Sequence, residues 1–136
     1  MRKVYRFALY FLYMVIFRHT PSSYRPYALF FPTIRGFLVR QFLDECGKKV
    51  VVEEEADISP HIKVGDNSGL GVRCLIQGNV TIGNDVMMGP DVKIYSWSHG
   101  HESPDLLLRL QPSYCLETKI GNDVWIASNV LIIGGC

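Results

Sequence analysis

Every sixth residue from Ile58 is aliphatic: Ile58, Val64, Leu70, Ile76, Ile82, Met88 and Ile94. Four residues after each step stand Ile62, Ser68, Cys74, Val80, Val86 and Val92, all small or β-branched, and one residue after several of them stand Gly65, Gly71, Gly83 and Gly89. A helix repeats at about 3.6 residues and a strand at about 2, so neither explains a period of six. A short strand followed by a corner, repeated, does. The corners are supplied by Gly65-Asp66-Asn67, Gly78-Asn79, Gly83-Asn84-Asp85 and Gly89-Pro90-Asp91, residue types that tolerate positive φ or pre-set a turn. Three sides make a triangular coil of about eighteen residues, and stacked coils align Ile58, Ile76 and Ile94, then Val64 and Ile82, then Leu70 and Met88. Each coil buries its aliphatic edge only against its neighbours, as solenoids do. The expected fold class is therefore all-β over residues 50–136, a parallel β-helix.

After Ile94 the pattern stops and resumes at Ile120, Ile126 and Ile132, with Val124 and Val130 in the second column. Residues 95–119 are expected to form an inserted loop thrown out of the prism. Long insertions of this kind in compact domains are usually functional, and this one holds His99 and His101, two of the four histidines.

Residues 1–49 differ in character and are expected to form a helical arm. They carry nine Lys/Arg and two Asp/Glu, a balance of +7, while residues 50–136 carry five and eleven, a balance of −6, giving +1 in all. Twelve of the sixteen Phe, Tyr and Trp precede Val50. The segment Val4–Phe17 is apolar but broken by Arg6, and its clean run is short of the roughly 20 residues that span a bilayer. Arg2, Lys3 and Arg6 ahead of an apolar run resemble a signal peptide, but Arg18-His19-Thr20-Pro21 follows where a small-residue cleavage site belongs. Two other readings stay open: a helix lying on an anionic membrane face, or one packed on its own protein as an N-terminal cap. No nucleic-acid partner is expected. The cysteines at 46, 74, 115 and 136 form no CxxC pair and read as free thiols in a reducing cytoplasm.

Ile82-Gly83-Asn84-Asp85-Val86 and Ile120-Gly121-Asn122-Asp123-Val124-Trp125-Ile126 resemble the repeats of the hexapeptide acyltransferases. The nearest group is the sugar O-acetyltransferases of the maltose, galactoside and capsular-polysaccharide type. The resemblance covers roughly residues 45–135 and implies a left-handed coil, a hand that physics alone would not select, since parallel crossovers are right-handed in about 98% of cases. It also implies a homotrimer with active sites between neighbouring prisms, and acetyl-coenzyme A as donor. The acceptor that the resemblance leads one to expect is a sugar or lipid-linked sugar in capsule, exopolysaccharide or O-antigen assembly, at the cytoplasmic face of the membrane.

Acetyl transfer to a hydroxyl needs a base, and a neutral histidine has the pKa and lone pair for it. The family position of that base falls on His99, with His101 as the alternative and Glu102 or Asp105 as orienting carboxylates. In the family that this chain resembles, the coil after the loop contributes an oxyanion contact and holds the pantetheine arm, and the matching positions here are Trp125, Ala127 and Ser128. Asn84 and Asp85 are corner residues first and candidates for sugar contact second. A related β-helix class binds zinc through three histidines. The placement of His61, His99 and His101 does not match it, so no metal is expected. Family members run on for several coils beyond Gly134-Gly135, which implies that this chain is truncated at Cys136 or capped from elsewhere. The alternative functions are then a non-catalytic β-helix remnant or, on the related zinc class, a γ-class carbonic-anhydrase-like protein.

Overall fold

The computed structural model of the protein describes residues 2–134; Gly135 and Cys136, the last of the four expected thiols, lie outside them. Four coils are stacked. The first holds β1 (Glu45–Cys46), β2 (Val51–Val52) and β3 (Asp57–Ile58), and the second β4 (Lys63–Val64), β5 (Gly69–Leu70) and β6 (Leu75–Gln77). The third holds β7 (Val80–Ile82), β8 (Met87–Met88) and β9 (Lys93–Tyr95). A hairpin of β10 (Trp97–His99) and β11 (Ser113–Cys115) intervenes before the fourth coil, β12 (Thr118–Ile120), β13 (Trp125–Ile126) and β14 (Leu131–Ile133).

All pairing between coils is parallel. The first face runs β1-β4-β7-β12 and the third β3-β6-β9-β14. The second consists of the pairs β2-β5 and β8-β13, joined where the Gly69 amide donates to the Val86 carbonyl at 2.9 Å. Val64 pairs with Ile82, Ile58 with Ile76 and Ile76 with Ile94, the register the six-residue period predicts. The second column is buried as well: Ile62, Ser68, Cys74, Val80, Val86 and Val92 all lie inside.

The corners differ from expectation in how they divide the work. Positive φ falls on Lys49, Glu55, Asn67, Arg73, Asp85, Asp91, Asp123 and Asn129, each three residues before an inward-facing aliphatic. Gly65, Gly83 and Gly89 do not carry it. Their role is space: a Cβ on Gly65 would sit 2.6 Å from Gly83 backbone, and one on Gly83 2.5 Å from the Gly121 carbonyl oxygen. The neighbouring residue then ties the coils together. Asp66 accepts from the Lys48 amide at 2.7 Å, Asn84 from the Asp66 amide at 2.7 Å and Asn122 from the Asn84 amide at 2.8 Å.

The N-terminal arm closes the first-coil end of the prism. Helix α1 (Arg2–Val15) leads through a 3-10 turn at Phe17–His19 to α2 (Phe31–Phe42). One stripe of α1, with Phe17 beyond it, packs on the core: Tyr13 belongs to the buried cluster that holds Phe42, Val52 and Ile58, and Tyr10, Met14 and Phe17 pack against that cluster. Tyr13 is fully buried and donates its hydroxyl to the Ala56 carbonyl at 2.7 Å. Arg6 donates twice to the Phe42 carbonyl and once to Asp44. Arg35 is also fully buried. It donates to the Val52 carbonyl at 2.6 Å and to Thr20 at 2.8 Å, so its charge is compensated by aimed oxygens.

The two ordered extremes of thiol environment give a direct check of this core. Cys74 lies in the inner column, where burial first and Asp57 second push its thiol up to about 12, whereas Cys115 is exposed on β11. The thiolate is the reactive form. Brief alkylation at neutral pH should therefore modify Cys115 and leave Cys74 intact until denaturant is added, as read by peptide mass mapping. Labelling of both at equal rates in the folded protein would contradict the inner column.

Candidate active site

The histidine arm enters at one corner. Val64 pairs with Ile82, 18 residues on, but Ile82 pairs with Ile120, 38 residues on, so 38 − 18 leaves 20 extra residues between β9 and β12. They leave the edge between the third and first faces. Their stem is pinned by two buried hydroxyls: Ser96 donates to the Asn79 carbonyl at 3.0 Å and lies 3.1 Å from the Thr118 hydroxyl. The Leu116 amide donates to the Ser96 carbonyl at 2.7 Å.

Beyond the stem the arm is not the structureless loop that the lapse of the six-residue pattern suggests. β10 and β11 pair antiparallel, setting Trp97 against Cys115, Ser98 against Tyr114 and His99 against Ser113. Gly100 permits the close crossing that follows, because a Cβ there would sit 2.9 Å from the Pro112 carbonyl oxygen. The Gln111 side-chain amide donates to the Ser103 and Leu106 carbonyls at 3.0 and 2.9 Å and holds the tip together.

This register gives His99 its partner: the Ser113 hydroxyl oxygen lies 2.9 Å from His99 Nδ1. Both residues are exposed, which leaves the imidazole reachable. Sequence spacing offered no sign of Ser113, fourteen residues away; only hairpin pairing brings it there. His101 is also exposed, with its Nδ1 3.4 Å from the His99 carbonyl oxygen, and no such side-chain partner. Among the described residues neither Glu102 nor Asp105 hydrogen-bonds either imidazole.

Trp125, Ala127 and Ser128 stand elsewhere. Trp125 pairs with Met87 on the second face and is 74% exposed; Ala127 and Ser128 form the corner after it. Among the described residues no hydrogen bond, ion pair or ring contact joins them to the arm, which leaves a different edge of the triangle. One chain alone does not bring His99 and these three together. The two corner amides also differ. Gly89, one coil below Ala127, donates to the Ile126 carbonyl at 2.8 Å, and Gly83 donates to that of Ile120 at 3.0 Å, so a coil stacked on the fourth would claim the Ala127 amide. The amides of Val72 and Glu54, below Ser128, take no part in this ladder, and the Ser128 nitrogen lies 2.7 Å from where a Cβ on Gly89 would sit.

Asn84 and Asp85 are both exposed corner residues. Asn84 belongs to the ladder described above, and Asp85 accepts from the Asn67 side chain at 3.0 Å. His61 faces Asp44 and His19 faces Glu55. Among the described residues no three His, Cys, Asp or Glu side chains converge in a metal-binding group.

This architecture recurs in solved structures. A hexapeptide-repeat-containing acetyltransferase from Vibrio cholerae superposes with a TM-score of 0.70 at 23% identity, over 96% of this chain and 72% of its own. A maltose O-acetyltransferase from Clostridium difficile gives 0.69 at 26% identity, over 96% and 65%. In sequence, a candidate acetyltransferase of Saccharomyces cerevisiae is 32% identical over 103 residues, 72% of this chain and 51% of that protein. The chain has the fold of the hexapeptide-repeat acetyltransferases and resembles acetyltransferases in sequence. No protein-family model matches it, and it spans about half the length of the curated relatives it matches, 51% and 54%. In this hexapeptide-repeat prism the histidine arm is the one interruption of the eighteen-residue register between Glu45 and Ile133 among the described residues.

Proposed function

We propose that this hexapeptide-repeat protein is an O-acetyltransferase that moves an acetyl group from acetyl-coenzyme A to a sugar hydroxyl, free or lipid-linked, in surface-polysaccharide assembly. The observation that carries this reading is the His99–Ser113 pair on an arm thrown from a prism shared with a maltose O-acetyltransferase. In the proposed step His99 Nδ1–H donates to the Ser113 hydroxyl oxygen, which fixes the tautomer and leaves the Nε2 lone pair free. Nε2 takes the proton of the sugar hydroxyl as its oxygen attacks the thioester carbonyl carbon. The carbon–sulfur bond then breaks, and the departing thiolate takes the proton back from Nε2. The products are an acetyl ester and the free thiol, with no acyl group on the protein.

Charge building on the carbonyl oxygen calls for an amide donor. Ser128 is the better candidate of the corner pair, since ladder pairing takes amides at the level of Ala127. Trp125 would flank the pantetheine arm. Because His99 and the Trp125–Ser128 corner stand apart in one chain, we infer a homotrimer of left-handed prisms in which one chain's arm serves its neighbour's corner. In this reading the site works in the cytoplasm, where acetyl-coenzyme A is available, and the proposed step calls for no metal.

The test is release of free thiol from acetyl-coenzyme A against a panel of sugars and lipid-linked sugars. Release that depends on one acceptor class supports the proposal. A folded protein that releases no thiol with any acceptor would leave the non-catalytic reading instead.

A further inference from the structure

The cap that closes the prism is apolar on both sides. The stripe of α1 through Tyr10 and Tyr13 is buried against the first coil, but Val4, Phe7, Phe11 and Val15 form a second stripe on the far side. Phe7 and Phe11 there are 68% and 60% exposed. A helix packed only on its own protein has no use for that second stripe. The connection between the helices is exposed and apolar as well. Leu29 has φ 48 and is 76% exposed, followed by exposed Phe30, a strained conformation for a branched apolar side chain. Phe37 of α2 is exposed as well, lining one hollow with Arg40 and Lys49.

Charge selects the occupant. Among the described residues of the cap and first corner, Arg6, Arg18 and Arg35 are paired with carboxylates, whereas Lys3, Arg25, Lys48 and Lys49 form no ion pair. We infer that this face docks on an anionic lipid surface: the Val4–Val15 stripe and the Leu29-Phe30 turn enter the headgroup boundary, and the unpaired cations meet lipid phosphates. A second copy of the chain fits poorly, because a two-fold contact through this face would set the +7 segments against each other. Among the described residues no helix is long and apolar enough to cross a membrane, so the attachment is peripheral. It stands independently of the transfer chemistry.

The test is sedimentation of the full chain with vesicles of phosphatidylcholine alone or with about one-third phosphatidylglycerol, a fraction that gives a negative surface potential. The chain should bind the anionic vesicles only. Binding should fall at least about tenfold in Phe7→Ser/Phe11→Ser, in Lys3→Glu/Arg25→Glu/Lys48→Glu, and at about 1 M salt, where the Debye length shrinks to about 3 Å. These side chains are exposed, so unchanged melting temperatures will certify the fold. Equal, salt-insensitive binding to neutral vesicles would overturn the charge argument. No binding to either vesicle would overturn the inference outright. So would light scattering in which Phe7→Ser/Phe11→Ser lowers the oligomeric state, because the occupant would then be another copy.

Discussion

Ile76→Asp is expected to abolish folding at neutral pH. Ile76 is fully buried in the middle of its column, paired with Ile58 on one side and Ile94 on the other. Removing a buried aliphatic side chain costs about 2–5 kcal/mol, and burying an unpaired carboxylate adds several kcal/mol more. Together these approach the roughly 5–15 kcal/mol that holds a typical domain. Burial would raise the new carboxyl's pKa above its unfolded value of about 3.9. The folded state then binds more protons than the unfolded state, so the defect should lessen as pH falls toward the unfolded pKa and be complete above the folded one. Asn79→Asp is the matched control: that side chain is exposed and makes no hydrogen bond among the described residues, so its cost should stay within about 1 kcal/mol. Thermal unfolding by circular dichroism separates the two. Similar melting temperatures would contradict the register.

His99→Ala should lower kcat at least about a hundredfold, the lower end of what a positioned general base contributes, while binding of acetyl-coenzyme A measured by calorimetry stays within about twofold. The argument is geometric. His99 has a partner at Nδ1 in Ser113 and is open to solvent, so its other nitrogen is available to an acceptor hydroxyl. Ser113→Ala keeps the base and loses only the tautomer restraint, so its kcat should drop by about tenfold. If His101→Ala is the crippling substitution and His99→Ala is mild, the assignment is wrong.

The prism was legible because a six-residue period has few physical solutions and because two independent columns, Ile58–Ile94 and Ile62–Val92, share it. The corner chemistry was legible only in part. Asn67, Asp85 and Asp91 announce positive φ, but Lys49, Glu55 and Arg73 take the same conformation without the residue types that signal it. The stacked register imposes it on them. The glycines were visible as a column, yet the reason for them, the approach of the next coil's backbone, exists only once coils are stacked. On α1 the composition showed an apolar helix without showing which face packs, since Phe7 and Phe11 are as apolar as Tyr10 and Tyr13. His99 was named by resemblance, whereas Ser113 depends on antiparallel pairing across the insertion, a contact with no local signal. The difference between Ala127 and Ser128 likewise belongs to the ladder of amides between coils rather than to either residue type.

The central claim, one-step transfer to an oxygen with His99 as base, is tested most directly by following the acetyl group itself. Acetyl-coenzyme A labelled in the acetyl carbon would be mixed with the acceptor that gives thiol release, and both acceptor and protein analysed by mass spectrometry after a rapid quench. The account predicts one labelled acetyl on the sugar as an ester that hydroxylamine removes, none on the protein, and loss of the product in His99→Ala. Label trapped on the protein, an amide product that resists hydroxylamine, or full product formation by His99→Ala would contradict it.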